Sequence, residues 1–521
     1  MEPLHNLNEE FAAAPGERVN APQVVPKAAL LHLCVVAAVL GAASLVPYAD
    51  ARLSDHRYWG RLDTAPLLRA LTLKAPPKDE VTTAADTPRV TEEPDLASAD
   101  LEKLEGLAAV TPGGPAATAP KAKAPVTAAA AKADGHAALE VLDESLGDQT
   151  VWIEDDKRSM APFYQALVDL ANGKRQTVRI AHYGDSHTAN DGLTHVTRQL
   201  LQRRFGDAGH GFALVEGRTQ WYKHQGVERS ANDEWRTVNF LSGNAKDGAY
   251  GYGGVAADGG PGASFTLGTG AKRNASRFVL YYRSQGRATV SATLDHVAAT
   301  SLNVHDAPGV DGEQVWQVPD GPHSLAWRVQ AGHIRIFGGA VERERGIVYD
   351  SLGEVGARGA RWLQADADNL RDQMRRRPPD LLILNYGGNE RSDKVSEARY
   401  LERMGKVLSN LRAGHPNGAC LILGPGDHGA KQGGKIVSDP DIIRINGWQR
   451  TLARQAGCGF FDARELMGGD GSMARWVKNG LGWSDYSHFT VRGEQEMGLG
   501  IYRAILVGLR SHLSRSIAAR K

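Results

Sequence analysis

Four short blocks of this chain carry residue types suited to acyl transfer: Gly184-Asp185-Ser186, then Gly353 and Gly356, then Gly387-Gly388-Asn389, and last Asp485 with His488. Ser186 offers a hydroxyl, which attacks a carbonyl carbon only when an adjacent base removes its proton. His488 suits that task because imidazole titrates near neutrality and can return the proton to a leaving alcohol. Asp485, three residues earlier, can hold the imidazole tautomer and stabilise the imidazolium. The charge that builds on the carbonyl oxygen needs donors already in place, and the backbone amides of Ser186 and Gly356 and the side-chain amide of Asn389 are the candidates. Glycine at 356 lets the backbone approach a substrate with no Cβ in the way. Singly these signals are weak: Asp485 and His488 read as a turn with a surface histidine, Gly387 and Gly388 as a strand end, Asn389 as a turn cap. Their occurrence together, in order, at successive strand ends argues against coincidence.

The elements that must position these blocks are short apolar runs alternating with amphipathic stretches. Runs at Val178–Tyr183, Ile347–Ser351, Leu381–Tyr386, Ala419–Gly424 and Gly459–Asp462 read as five buried strands. Helical patterns fall at Leu193–Arg204, Arg358–Arg376, Glu397–Ala413, Asp441–Gln455 and Val491–Ser514. The alternation predicts an α/β fold, a doubly wound parallel sheet with right-handed crossovers, whose ligands bind beyond the carboxyl ends of the strands. Arg375–Arg377 before Pro378 and Pro379 are expected to favour a helix C-terminus. His428, after the fourth strand, reads more readily as a bystander than as a participant.

Between Gly217 and Arg345 the alternation stops. Short alternating runs such as Arg277–Tyr282, Ala288–Leu294 and Ile334–Gly338, with many glycines, predict an inserted antiparallel β-sandwich. Among its aromatics, Trp221, Tyr222, Trp235, Tyr250, Tyr252, Trp316 and Trp327 could stack on sugar rings, although most are expected in the core. Gly248–Gly262 lacks the GK[ST] ending and following helix of a phosphate loop.

With His187 and Glu390 completing them, the four blocks resemble those of the SGNH, or GDSL, hydrolase superfamily. The resemblance spans about residues 150–216 and 346–521. It implies a flavodoxin-like five-stranded parallel sheet, with Ser186 as nucleophile, Asp485 and His488 as its triad partners, and Ser186, Gly356 and Asn389 as oxyanion donors. His187 stands where Leu is usual and Glu390 where Asp is usual. His187, the stretch Gly206-Asp207-Ala208-Gly209-His210-Gly211-Phe212 and the β insertion look most like the envelope peptidoglycan O-acetylesterase branch, in which the insert resembles a carbohydrate-binding module.

The chain has 521 residues and a 42% hydrophobic fraction, enough for two or three domains. With 61 Lys and Arg against 60 Asp and Glu, its net charge of +1 argues against a nucleic-acid binder. Cys34, Cys420 and Cys458 form no CxxC pair, so neither a disulfide framework nor a structural zinc site is expected, and Cys420 and Cys458 read as buried thiols. No metal or organic cofactor is implied by the chemistry.

Residues 28–49 form an almost unbroken apolar run, and about 20 such residues span a bilayer as a helix. The leader carries Glu2, Glu9, Glu10 and Glu17 against Arg18 and Lys27, which favours an uncleaved anchor over a signal peptide, with secretion after cleavage near Ala49–Ala51 as the alternative. Arg52, Arg57 and Arg61 follow the run, so the basic residues do not by themselves favour an outside C-terminus. The expected organisation is a tail at 1–27, a transmembrane anchor at 28–49, a disordered Pro/Ala-rich linker at 50–139, a hydrolase segment at 140–216, the insert at 217–345 and a second hydrolase segment at 346–521.

The leading expectation is a single-pass inner-membrane serine esterase, its catalytic domain on the periplasmic side, that deacetylates an envelope polysaccharide, peptidoglycan first among them, through an acetyl-Ser186 intermediate. An O-acetyltransferase using the same triad and a non-catalytic glycan-binding protein are the alternatives.

Overall fold

The computed structural model describes residues 151–214, 222–270 and 273–518. The tail, anchor and linker expected at 1–139, and Trp221, lie outside them. Among the described residues no helix is long and apolar enough to cross a membrane.

Five core strands, Thr177–Gly184, Gly346–Gly353, Leu381–Asn385, Ala419–Leu423 and Gly459–Phe461, pair in parallel. Numbered in chain order they lie 2-1-3-4-5 across the sheet, the flavodoxin-like order, whose switch point falls between strands 1 and 3. Alternate side chains sort to two apolar layers, as they must in a strand covered on both faces. Val178, Ile180, Leu381 and Ile383 face helices Ala161–Ala171, Gly192–Phe205 and Val491–Ala518. Ala181, Tyr183, Leu382 and Leu384 face helices Ala367–Arg376, Glu397–Arg412 and Pro440–Ala456.

All five expected strands are found, and four of the five expected helices. The fifth, Arg358–Arg376, is broken into a 3-10 turn at Gly359–Gln364 and a helix at Ala367–Arg376. The cause is tertiary. Trp362 stacks on Phe240 with ring centroids 4.4 Å apart, the Asp366 amide donates to the Gly248 carbonyl at 2.9 Å, and Asp366 then caps the new helix by accepting from the Asn369 amide at 2.7 Å.

The insert comprises two antiparallel sheets with an apolar layer of their own, including Phe265, Phe278, Leu280, Trp327 and Ile336. Gly209–Ala213, which precedes residue 217, joins one sheet by pairing with Ile334–Glu342. The same sheet's opposite face, through Val279, Tyr281, Phe337 and Ala340, packs into one of the two layers of the core.

A buried ionic strut ties insert to core. Arg377, expected only to end a helix, is 1% exposed and donates from Nε and NH2 to both oxygens of Asp350 at 2.8 and 2.6 Å, and from NH1 to Glu342 at 2.7 Å. Burial alone would raise the Glu342 carboxyl, but Arg377, Arg179 and Arg277 hold it well below the usual carboxylate range. Arg375 and Arg376 lie in the last helical turn as expected, each paired with Asp372.

The cysteine expectation is corrected. Cys420 and Cys458 form a disulfide. The parallel register sets Leu421 opposite Gly459, so the residues just before them are neighbours on adjacent strands, a relation visible only once the strand order is known.

Candidate active site

Ser186 opens a short helical turn at the carboxyl end of core strand 1, where Asp185 caps the turn by accepting from the His187 amide at 3.1 Å. Gly356 and Asn389 follow strands 2 and 3. The two flank strand 1, so the three blocks meet at the switch point. The fourth block arrives because the C-terminal helix folds back on Gly192–Phe205. A Cβ at Gly498 would lie 2.7 Å from the Leu193 carbonyl oxygen, so glycine permits the close helix crossing that sets the preceding loop beside Ser186.

In that loop Tyr486 adopts φ +55°, a left-handed conformation that costs a non-glycine residue roughly 1–2 kcal/mol. The bend turns the Asp485 carboxylate back on its own loop. Its Oδ1 accepts from the Ser487 and His488 amides at 2.9 and 3.1 Å, and its Oδ2 lies 2.7 Å from His488 Nδ1. Burial would raise the Asp485 carboxyl, but these hydrogen bonds outweigh it and hold the group below its ordinary value. His488 Nε2 lies 3.2 Å from Ser186 Oγ. Three residues expected to act together therefore form one continuous hydrogen-bonded relay. The Asp485 and His488 side chains are 48% and 51% exposed, so a bulky ester can reach them.

The expected oxyanion donors gather beside the relay. Gly356 sits at φ +76° with nothing near its missing Cβ. Neither its amide nor that of Ser186 has a protein acceptor among the described residues. Asn389 donates from Nδ2 to the Ala357 carbonyl at 3.0 Å. An amide nitrogen carries two hydrogens: one fixes the side chain, and the other, held only by a long 3.5 Å contact to Asp185 Oδ2, can be given to a substrate oxygen.

Glu390 staples the two oxyanion segments together. Its buried carboxylate accepts from the Gly359 amide at 2.7 Å and the Gly387 amide at 3.1 Å. Burial pushes its carboxyl up to about 7, against the pull of those amides. His428 is buried and pushed down to about 4, chiefly by desolvation. With Asp185, His187, Asn385, Gly388 and Phe489 it lines a cavity of about 20 Å³, room for one water.

Among the described residues the expected insert aromatics do not stand open to a substrate. Tyr222, Trp235, Tyr250, Tyr252, Trp316 and Trp327 are all buried, and the indole N–H groups of Trp235 and Trp316 bond the Ser264 and Thr300 carbonyls at 2.9 Å. They fill the layers on either side of the sheets instead. Sequence reasoning passed over an aromatic that does stand in the open on the triad loop: Trp483, 58% exposed, whose amide donates to the His488 carbonyl at 2.9 Å. Its place five residues before His488 was the available signal. Among the described residues no cluster of His, Cys, Asp or Glu could hold a metal ion.

The GDSL-like Lipase/Acylhydrolase family model matches residues 311–495. That range includes Gly356, Asn389, Asp485 and His488, while Ser186 lies on the far side of the insert. A solved peptidoglycan O-acetylesterase is similar at 24% identity with a TM-score of 0.59, covering 69% of this chain and 99% of that one. A family two carbohydrate esterase from Cellvibrio japonicus, at 13% identity and TM-score 0.23, covers 55% of this chain and 99% of its own. A salicylyl-acyltransferase of a tetracycline biosynthetic pathway, at 12% and 0.26, covers 57% and 97%. No curated protein matches the chain. Residues 311–495 thus carry a GDSL-like lipase/acylhydrolase domain, and the fold is shared with the solved peptidoglycan O-acetylesterase.

Proposed function

We propose that this esterase removes acetyl groups from an envelope polysaccharide, O-acetylated peptidoglycan in the first place, with Ser186, His488 and Asp485 as its catalytic residues. The observation that carries the reading is the unbroken Ser186–His488–Asp485 relay beside two unengaged backbone amides. The peptidoglycan O-acetylesterase that shares the fold over nearly its whole length supports the substrate class.

The chemistry follows from the positions of the atoms. His488 Nε2 takes the Ser186 hydroxyl proton as Oγ attacks the acetyl carbonyl, and Asp485 holds the resulting imidazolium. The Ser186 and Gly356 amides and Asn389 Nδ2 receive the oxyanion. His488 then protonates the departing sugar oxygen, which leaves as the hydroxyl, and acetyl-Ser186 remains. A water, deprotonated by the same imidazole, releases acetate and restores the serine. Trp483, exposed on the same loop as His488, offers an indole on which a sugar ring can stack.

The proposal includes an anchor at residues 28–49 that tethers the domain on the periplasmic side of the inner membrane. The Cys420–Cys458 disulfide supports an oxidising compartment, since such bonds are rare in the cytosol. The test is acetate release by the full chain from O-acetylated peptidoglycan. Release that depends on Ser186 is expected. Cleavage of a small aryl acetate without release from the glycan would remove peptidoglycan as the substrate.

A further inference from the structure

His187 lies directly beneath the relay. Its ring stacks on that of His488 with centroids 5.4 Å apart and planes 26° from parallel, and it packs on Phe489 at 4.7 Å. Its Nδ1 lies 3.3 Å from Asp185 Oδ1 and its Nε2 lies 3.2 Å from the Ser487 carbonyl oxygen. A carboxylate and a carbonyl can only accept. A neutral imidazole has one N–H and would turn a lone pair on one of them, whereas an imidazolium satisfies both.

We propose that His187 is a positioning residue that works as an imidazolium clamp, one N–H holding Asp185 beside Ser186 and the other holding the Ser487 carbonyl beside His488. The proposal rests on the serine-esterase reading of the same site. It explains how a nucleophile on the first strand and a base on the C-terminal loop are kept 3.2 Å apart: the clamp bridges the residue before one and the residue before the other. Asp185 extends the connection, since its Oδ2 lies 3.5 Å from Asn389 Nδ2.

The surrounding charges agree. Burial opposes a charge on His187, but the Asp185 carboxylate, Glu494 and the Ser487 carbonyl outweigh it and raise its pKa above the ordinary imidazole value. His428, whose ring centroid is 6.2 Å away, adds no competing charge at neutral pH, because burial, helped by the neighbouring His187, holds it down to about 4. Arg391 reaches Ser487 Oγ at 3.3 Å and leaves the carbonyl to His187. His488 is the remaining titratable neighbour. Because the folded pKa of His187 is raised, the clamp is complete below the ordinary imidazole range and is lost as pH rises through the raised value.

Two readouts test this. In the full chain, ring-nitrogen NMR of histidine, with His187 assigned through its contact to Phe489, should show both nitrogens protonated at pH 7; a single neutral tautomer overturns the clamp. This measurement needs neither turnover nor a substituted protein, so an inactive chain with a doubly protonated His187 would count against the esterase reading and not against the clamp. In the second, kcat/KM for an aryl acetate should fall at alkaline pH as His187 loses its proton. His187→Gln, which donates without titrating, should lose the alkaline limb and lower kcat roughly tenfold to a hundredfold with KM unchanged. An alkaline limb that persists in His187→Gln overturns the proposal.

Discussion

Ser186 Oγ and His488 Nε2 lie 3.2 Å apart although 302 residues, including the whole insert, separate them in the chain. The core sheet closes that distance. Strand 1 delivers the serine to the switch point, and the final helix, packed on Gly192–Phe205, returns the histidine to the same place. The insert leaves between strands 1 and 2 without disturbing the eight-residue parallel register that joins them.

Asn389 is expected to act on the transition state more than on the bound substrate. Asn389→Ala should lower kcat by roughly 100- to 1000-fold, the cost of one oxyanion donor, while KM changes little. Steady-state kinetics on an aryl acetate checks it. A change confined to KM would place Asn389 in ground-state binding.

Glu390 makes a pH-dependent contribution to stability. Its carboxyl is raised from 4.5 to about 7, so the folded protein binds the proton more tightly than the unfolded chain. The contribution is complete below about pH 4.5 and is lost as pH rises through about 7, a swing on the order of 3 kcal/mol. Buried His182, His224 and His428, whose pKa values are lowered, titrate with the opposite sign, so the measurement is the difference in Tm between Glu390→Gln and the parent. That difference should move in favour of Glu390→Gln as pH rises from about 5 to about 7.5, the window of the linkage; a constant difference would contradict it.

Removing Arg377 leaves Asp350 and Glu342 buried without their shared cation. Arg377→Met should destabilise the protein by about 3–5 kcal/mol, read from denaturant unfolding. A loss below about 1 kcal/mol, the range of an exposed pair, would show that the strut is replaceable.

Trp483 separates glycan recognition from chemistry. Trp483→Ala should raise KM for O-acetylated peptidoglycan several-fold, about the 1 kcal/mol of an aromatic contact, and leave kcat on a small aryl acetate within about twofold. Equal losses on both substrates would make Trp483 a support of the triad loop instead.

The five core strands and the order of the chemical blocks were legible because buried parallel strands are short apolar runs and because their carboxyl ends carry the function. What escaped the sequence depends on contacts between distant residues. The stretch 358–376 has one helical pattern, yet Phe240 and Gly248 of the insert break it at Ala365 and Asp366. Cys420 and Cys458 are partners only through the register of strands 4 and 5. Arg377 looks like a helix-terminal charge until the insert covers it. Composition marked the insert aromatics as possible sugar platforms, but Trp235, Trp316 and Trp327 are turned inward by their strands and Tyr222, Tyr250 and Tyr252 are buried in the segments between strands, while Trp483 is exposed on the loop that bends at Tyr486. The short helices Ala463–Met467 and Ser472–Lys478 carry too few turns for a periodic signal.

The central claim is that acetyl passes through Ser186. Rapid quenching of the full chain during turnover of O-acetylated peptidoglycan, followed by mass analysis of the Ser186 peptide, tests it most directly. The account predicts one acetyl group on that serine, and neither adduct nor acetate release in folded Ser186→Ala. Undiminished acetate release by Ser186→Ala would contradict it.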